Sequence, residues 1–106
     1  MLRPTIIEIF EARSTLRKYM GPTPLNHYPG LDTLLGANVY IKHENHTATA
    51  AFKLRGGINT MAQLSNEQKR RGVIVASSGN FGRGMAYAGR IFGVKTVVVM
   101  PEKPNP

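Results

Sequence analysis

The sequence predicts an α/β fold, a partial open parallel sheet with flanking helices. Three features point to it. Gly72-Val73-Ile74-Val75-Ala76 and Thr96-Val97-Val98-Val99-Met100 are short apolar runs of the kind buried on both faces of a parallel sheet. Between them, Met85, Ala88 and Phe92 recur at helical spacing up to a stop at Gly93. Strand, turn, helix and strand within roughly thirty residues make a βαβ unit with an expected right-handed crossover.

The elements before this unit follow in chain order. Thr5-Ile6-Ile7-Glu8 is a capping box, and Ile6, Ile9, Phe10 and Leu16 give an amphipathic helix over 6–18. Gly21-Pro22-Thr23-Pro24 stops it. The Gly- and Pro-rich stretch 21–37 reads as loop, with at most a short turn of helix at Leu31 to Leu35. Asn38 to Lys42 is a short strand, and His43 to Ala51 a polar connection. Leu54, Ile58, Met61 and Leu64 mark one face of a second helix, weakened early by Gly56 and Gly57. At the far end, Pro101 to Pro106 reads as a strand exit, with Asn105 as N-cap and Pro106 opening another helix. The expectation is therefore the front piece of a larger α/β protein.

Composition narrows the function classes. A chain of 106 residues supports one core at most. Hydrophobic residues at 42% and charged residues at 19% argue against wholesale disorder. With no cysteine there is no disulfide framework, thiolate metal site or thiol nucleophile. Acidic Glu8 and Glu11 interrupt the opening apolar run, and no stretch approaches the ~20 apolar residues of a membrane span. The chain is expected to be soluble and cytoplasmic, without a membrane partner.

Fourteen Lys and Arg against six Asp and Glu give a net charge of +8, which raises the question of nucleic acid. The cations are scattered, however. Lys69-Arg70-Arg71 forms the one run, read as a solvated turn before a strand. No helix-turn-helix spacing, zinc finger or aromatic ladder accompanies it, so nucleic acid is not the expected partner.

Two segments carry candidate chemistry. Gly79-x-x-Gly82-x-Gly84 lies between strand and helix, where backbone N–H groups and the helix dipole favour an anion. Its glycine order reverses the G-x-G-x-x-G of dinucleotide folds, and tight helix–strand packing explains three glycines equally well. Ser77, Ser78 and Asn80 add hydroxyls and an amide at the carboxyl end of a parallel strand, where open α/β sheets bind ligands. The second segment is Ala50-Ala51-Phe52-Lys53-Leu54-Arg55-Gly56-Gly57. Lys53 there stands among small and apolar residues at a helix start, where desolvation and the helix dipole favour the neutral, nucleophilic amine. An ammonium that reaches solvent along its stem is the competing reading. His43 and His46 lack the spacing and companions of a metal shell, so no metal is expected.

Together these residues resemble a known family. Thr23-Pro24-Leu25, Lys42-His43-Glu44-Asn45, Phe52 to Gly57, Ala76-Ser77-Ser78-Gly79-Asn80-Phe81-Gly82 and Val99-Met100-Pro101 occur in the order of the N-terminal part of fold-type II pyridoxal-phosphate enzymes. Within that group the chain is similar to the threonine/serine dehydratase (ammonia-lyase) branch. The resemblance implies the N-terminal portion of the tryptophan synthase β-like fold and the cofactor pyridoxal 5'-phosphate. It implies that Lys53 is the Schiff-base lysine and moves protons at Cα. Phe52 would pack on the pyridine ring, and Asn80 would hydrogen-bond its phenolic oxygen. Ser77, Ser78 and Gly79, with Asn80 at the helix N-terminus, would grip the substrate carboxylate, and Ser78 would serve as a proton donor or acceptor.

The implied reaction is β-elimination of a hydroxyamino acid such as threonine or serine to a 2-oxo acid and ammonia. The implied parent is a homo-oligomer. Residues 1–72 would belong to its cofactor domain, and 73–106 would be the first βαβ unit of its small domain. The family's phosphate cup and pyridine-nitrogen partner are expected beyond residue 106, so this chain alone is expected to bind cofactor weakly and turn over little. A non-catalytic piece needing a partner chain and a basic nucleic-acid-binding domain are the rival readings. Two departures stand out. The family often has Pro-Thr-Gly, then Ser or Ala, before Phe-Lys, where this chain has Ala48-Thr49-Ala50-Ala51. Many dehydratases have His where Phe81 stands, which leaves serine racemases and hydroxyectoine-pathway dehydratases as further relatives.

Overall fold

A computed structural model describes residues 3–103. The helix start expected at Asn105 and Pro106 lies outside them. Nine elements follow in order: α1 (Ile6–Leu16), β1 (Leu25–His27), α2 (Pro29–Leu35), β2 (Tyr40–Lys42), α3 (Lys53–Gln63), α4 (Asn66–Arg71), β3 (Val73–Ala76), α5 (Asn80–Phe92) and β4 (Thr96–Val99). β3 and β4 pair in parallel with Val73 opposite Thr96 and Ala76 opposite Val99, so the expected βαβ unit forms around α5. β1 and β2 make a separate antiparallel pair, with Leu25 opposite Lys42.

The core lies between α3 and α5. Leu54, Ile58 and Met61 repeat along one face of α3 and are buried against Met85 and Ala88 of α5, with Val94 closing the end. Small residues set the spacing between the two helices. A Cβ on Gly57 would stand 2.7 Å from the Gly84 carbonyl oxygen, and one on Gly84 would stand 3.1 Å from the Lys53 carbonyl. The backbones approach where side chains are missing. One core thus joins the segments before and after Gly72.

Helix ends follow local chemistry. The Thr5–Glu8 capping box forms, with the Thr5 N–H donating to Glu8 Oε2 at 2.6 Å. Gly93 ends α5 at φ +64, a left-handed backbone that favours glycine.

Several expectations need correction. The stretch 21–37 contains a three-residue strand and a seven-residue helix instead of mainly loop. Lys69-Arg70-Arg71 forms the last turn of α4, where cations complement the helix dipole, and not a turn. The apolar face expected on α1 is uncovered: Ile6, Ile9 and Phe10 are exposed, and only Leu16 touches the core. The sheet is likewise covered on one face. Val73, Val75, Thr96 and Val98 turn inward, whereas Ile74, Val97 and Val99 are exposed. Among the described residues no helix is long and apolar enough to cross a membrane.

The turn before α3 forms without a glycine. Thr47 Oγ1 donates to the Ala51 carbonyl at 2.9 Å and accepts the Ala51 N–H at 3.1 Å. Ala50 between them takes φ +54, a left-handed conformation that costs an alanine roughly 1 kcal/mol. Ala50→Gly is expected to raise the unfolding free energy by about 0.5–1 kcal/mol, the relief of strain outweighing the extra freedom of the unfolded chain. A urea denaturation midpoint below that of the parent chain would contradict it.

Candidate functional site

The site is built where two helix N-termini meet. β3 ends at Ala76, and the chain turns through Ser77-Ser78-Gly79 into α5. Gly79 occupies the N-cap with no side chain to offer, so Ser77 serves instead. Its Oγ accepts from the Gly79 N–H at 3.2 Å and the Gly82 N–H at 3.0 Å. Gly82 is required for that closure, because a Cβ there would meet Val98 Cγ1 at 2.9 Å and the Ser77 carbonyl at 3.1 Å. The first N–H groups of a helix have no intrahelical acceptor. With Gly79 and Gly82 satisfied by Ser77, the N–H groups of Asn80 and Phe81 have no protein acceptor among the described residues.

An open cleft of about 400 Å³ sits on this turn, lined by Ser77, Ser78, Gly79 and Asn80, with Val98 and Met100 from β4 and its exit. Four of the sequence-predicted residues therefore come together. The Ser77 hydroxyl holds the turn, whereas the exposed Ser78 and Asn80 side chains make no protein hydrogen bond among the described residues.

Phe52 and Lys53 stand beside the cleft and outside its lining. Lys53 is the first residue of α3 and is exposed, and the preceding Phe52 ring is 61% exposed. The desolvation expected around Lys53 is not supplied by the described residues, because its neighbours Ala51 and Leu54 turn inward while its own side chain turns out. Its helix-start position does hold. The Gly84 contact with the Lys53 carbonyl brings the start of α3 against the first turns of α5.

Three quoted motifs meet behind α3. Arg55 donates from Nε to Glu44 Oε2 at 2.6 Å and from Nη2 to Glu44 Oε1 at 2.9 Å. Thr23 Oγ1 donates to the same Glu44 Oε1 at 2.6 Å, and Lys42 Nζ donates to the Thr23 carbonyl. The Arg55 hydrogen bonds are the main cause that lowers the Glu44 carboxyl to about 2. This cluster anchors the first turn of α3, two residues past Lys53. It also closes one end of a groove of about 650 Å³ beneath α1, which contains none of the predicted site residues.

Neighbouring His43 accepts or donates at Nε2 with the Tyr28 hydroxyl at 2.7 Å and stacks on His46 with ring centroids 4.8 Å apart.

Sequence reasoning missed Arg83 and Thr49. Arg83 lines the cleft, and its Nη1 donates to the Thr49 carbonyl at 3.2 Å, tying α5 to the turn before Lys53. The available signal was spacing, since Arg83 follows Asn80 by three residues on one helix face.

The residues fit the aldehyde and ring end of a pyridoxal-type cofactor. The donor set offers a primary amine, a bare aromatic face and an amide, beside a turn that a single Cβ would disrupt. Comparisons with known proteins agree. Residues 16–106 match the model of the family described as pyridoxal-phosphate dependent enzyme. L-threonine ammonia-lyase of Thermotoga maritima is 41% identical over 92% of this chain and 24% of its own length. L-threo-3-hydroxyaspartate ammonia-lyase of Saccharomyces cerevisiae is 36% identical over 96% of the chain and 31% of its own. The crystal structure of serine racemase from Dictyostelium discoideum superposes with a TM-score of 0.90 at 37% identity, covering 95% of this chain and 33% of that one. The chain spans about a quarter to a third of the length of these relatives.

Proposed function

The chain belongs to the pyridoxal-phosphate dependent enzymes, and from that premise we propose that it forms the lysine-bearing, carboxylate-gripping part of a β-eliminating lyase acting on a hydroxyamino acid. Residues 1–72 serve the cofactor domain of that enzyme, and 73–106 open its small domain. The observation that carries the reading is the close approach of Gly84 to the Lys53 carbonyl, from which a Cβ at Gly84 would stand only 3.1 Å, and which brings the start of α3 against the helix that begins at Asn80.

When bound, pyridoxal phosphate supplies an electron sink that acidifies the substrate Cα–H. The chain's own residues do the rest. Lys53 Nζ would be the amine that holds the cofactor's aldehyde carbon and would serve as general base for the Cα proton. Phe52 would cover one face of the ring, and the Asn80 amide would donate to the ring oxygen. The Asn80 and Phe81 N–H groups and the helix dipole hold the substrate carboxylate, so that the reacting carbon stays in place. Ser78 Oγ would serve as a proton donor or acceptor in the loss of the β-hydroxyl. Loss of that hydroxyl with the Cα proton, followed by hydrolysis, gives a 2-oxo acid and ammonia.

Borohydride reduction of the chain with pyridoxal phosphate, followed by peptide mapping, tests the assignment. Label concentrated on Lys53 and absent from that peptide in Lys53→Ala is the expected result. Label distributed over the exposed lysines, with Lys53 no more modified than Lys18 or Lys95, would overturn it.

A further inference from the structure

The turn from Thr47 to Ala51 holds two unfavourable features side by side, just ahead of Lys53. Ala50 is left-handed at φ +54, a conformation that glycine adopts freely and alanine does not. Thr49 is 4% exposed, and its Oγ1 has no hydrogen-bond partner among the described residues. Strained backbone and orphaned polar groups persist where the surrounding structure over-determines them. One bond from outside the turn does so here. Arg83 Nη1 donates to the Thr49 carbonyl at 3.2 Å, and that oxygen has no other donor among the described residues. Both features touch a single peptide unit, Thr49–Ala50. Its N–H donates to the Thr47 carbonyl at 2.9 Å, while its C=O, directed oppositely as in any trans peptide, meets Arg83. Turning this peptide over would return Ala50 to negative φ, but it would break the Thr47 bond and carry the Thr49 carbonyl away from the guanidinium. The peptide thus has two arrangements, and Arg83 bonds to only one of them.

We propose that Arg83 is a positioning residue for Lys53: it holds the Thr49–Ala50 peptide in the left-handed arrangement and so fixes how the chain enters α3. This rests on the lyase reading above. The entry has no fastening of its own, since Phe52 at the N-cap of α3 makes no side-chain capping bond. The Thr47 bonds to Ala51 close the turn upon itself and do not tie it to α5. Arg83 supplies that tie from α5, one turn past Asn80. The helix whose start is read as the carboxylate grip therefore also sets the direction from which Lys53 is presented. Loss of the guanidinium would leave two polar groups of Thr49 buried without partners, its hydroxyl and its carbonyl, and the peptide would turn over to relieve one of them together with the strain at Ala50.

The test reads the turn and the lysine separately on the full chain. Amide hydrogen exchange at Ala50, followed by NMR without cofactor, reports the bond to Thr47. Borohydride reduction with pyridoxal phosphate reports the labelling of Lys53 relative to Lys18 and Lys95. Arg83→Met keeps an apolar stem and loses every donor. In it, Ala50 exchange is expected to rise roughly tenfold, the scale of one hydrogen bond from a charged donor, and the Lys53 preference to fall with it. Arg83→Lys is expected to restore part of both. Ala50→Gly in the Arg83→Met background is expected to do the same, because glycine takes the left-handed arrangement without strain. Unchanged Ala50 exchange in Arg83→Met, or faster exchange with the Lys53 preference intact, would overturn the proposal. So would a loss of Lys53 preference that Ala50→Gly leaves unrepaired. A parent chain with a protected Ala50 amide and no preference for Lys53 would instead remove the lyase reading, and the positioning role with it.

Discussion

Gly57→Ala is expected to destabilise the fold by about 2 kcal/mol, while the same change one residue earlier, Gly56→Ala, is expected to stabilise it. In an exposed helix interior the substitution gains up to ~1 kcal/mol from backbone entropy. At Gly56 nothing lies within 4 Å of the new methyl, so the gain is kept. At Gly57 the methyl would stand 2.7 Å from the Gly84 carbonyl oxygen and 3.3 Å from Ala88 Cβ. Those are atoms of α5 itself, not the end of a flexible side chain. The helices must separate, and overpacking of this kind costs roughly 1–3 kcal/mol, sometimes more. Since α3 and α5 enclose the core, no second cluster among the described residues compensates. Urea denaturation of the two variants beside the parent checks the opposed signs. Two midpoints moving in the same direction would mean that the helix contact is not the one described.

The second large effect belongs to Glu44. Its carboxyl is lowered from 4.5 to about 2, first by the Arg55 hydrogen bonds and then by Thr23. A carboxyl lowered in the folded state gives stability that is complete above its unfolded value and is lost as pH falls through the folded one. The chain is therefore expected to lose stability between pH 4.5 and about 2 as Glu44 takes up its proton. Both side chains keep roughly a third of their exposure, at 30% for Arg55 and 28% for Glu44. Solvent screening accordingly limits the contribution to about 1–2 kcal/mol. Arg55→Ala should remove that amount at neutral pH, and Glu44→Gln should flatten the acid slope. A thermal midpoint series from pH 6 to pH 2 on the three chains measures both. An unchanged slope in Glu44→Gln would assign the acid sensitivity elsewhere.

The parts of this fold that are readable from sequence are those whose signal is local. The βαβ unit announces itself through two apolar runs and a helical repeat that ends at Gly93. The capping box at Thr5 and Glu8 works within one turn. β1 could not be read this way, because a three-residue strand with one apolar side chain, between Pro24 and Pro29, exists by virtue of its partner Tyr40–Lys42. α4 has no apolar residue and hence no periodicity, although Ser65 and Gln68 form a capping box that a search for that pattern would have found. Burial was the least readable property. Ile74 and Val97 sit in apolar runs, yet which face of a sheet is covered depends on what packs on it.

The candidate site divides along the same line. Ser77 to Asn80 are contiguous, so their convergence needs only the turn. The meeting of Thr23, Glu44 and Arg55 joins residues far apart in the chain, and only the folded structure shows that three motifs form one anchor. Arg83 stood within reach of simple helical spacing from Asn80 but is not part of the glycine pattern that drew attention to the turn.

The contact of Gly84 with the Lys53 carbonyl also has a mechanical meaning. A backbone carbonyl resting directly on another backbone has no side chain between them to flex. Displacement of α5 therefore pushes on the first residue of α3 without slack, and Arg83, bonded to the Thr49 carbonyl, adds a second strut on the same side. The backbone spacing between Lys53 and Asn80 is thus set by the packing of α3 on α5, with side-chain rotation left to set where the amine and amide point.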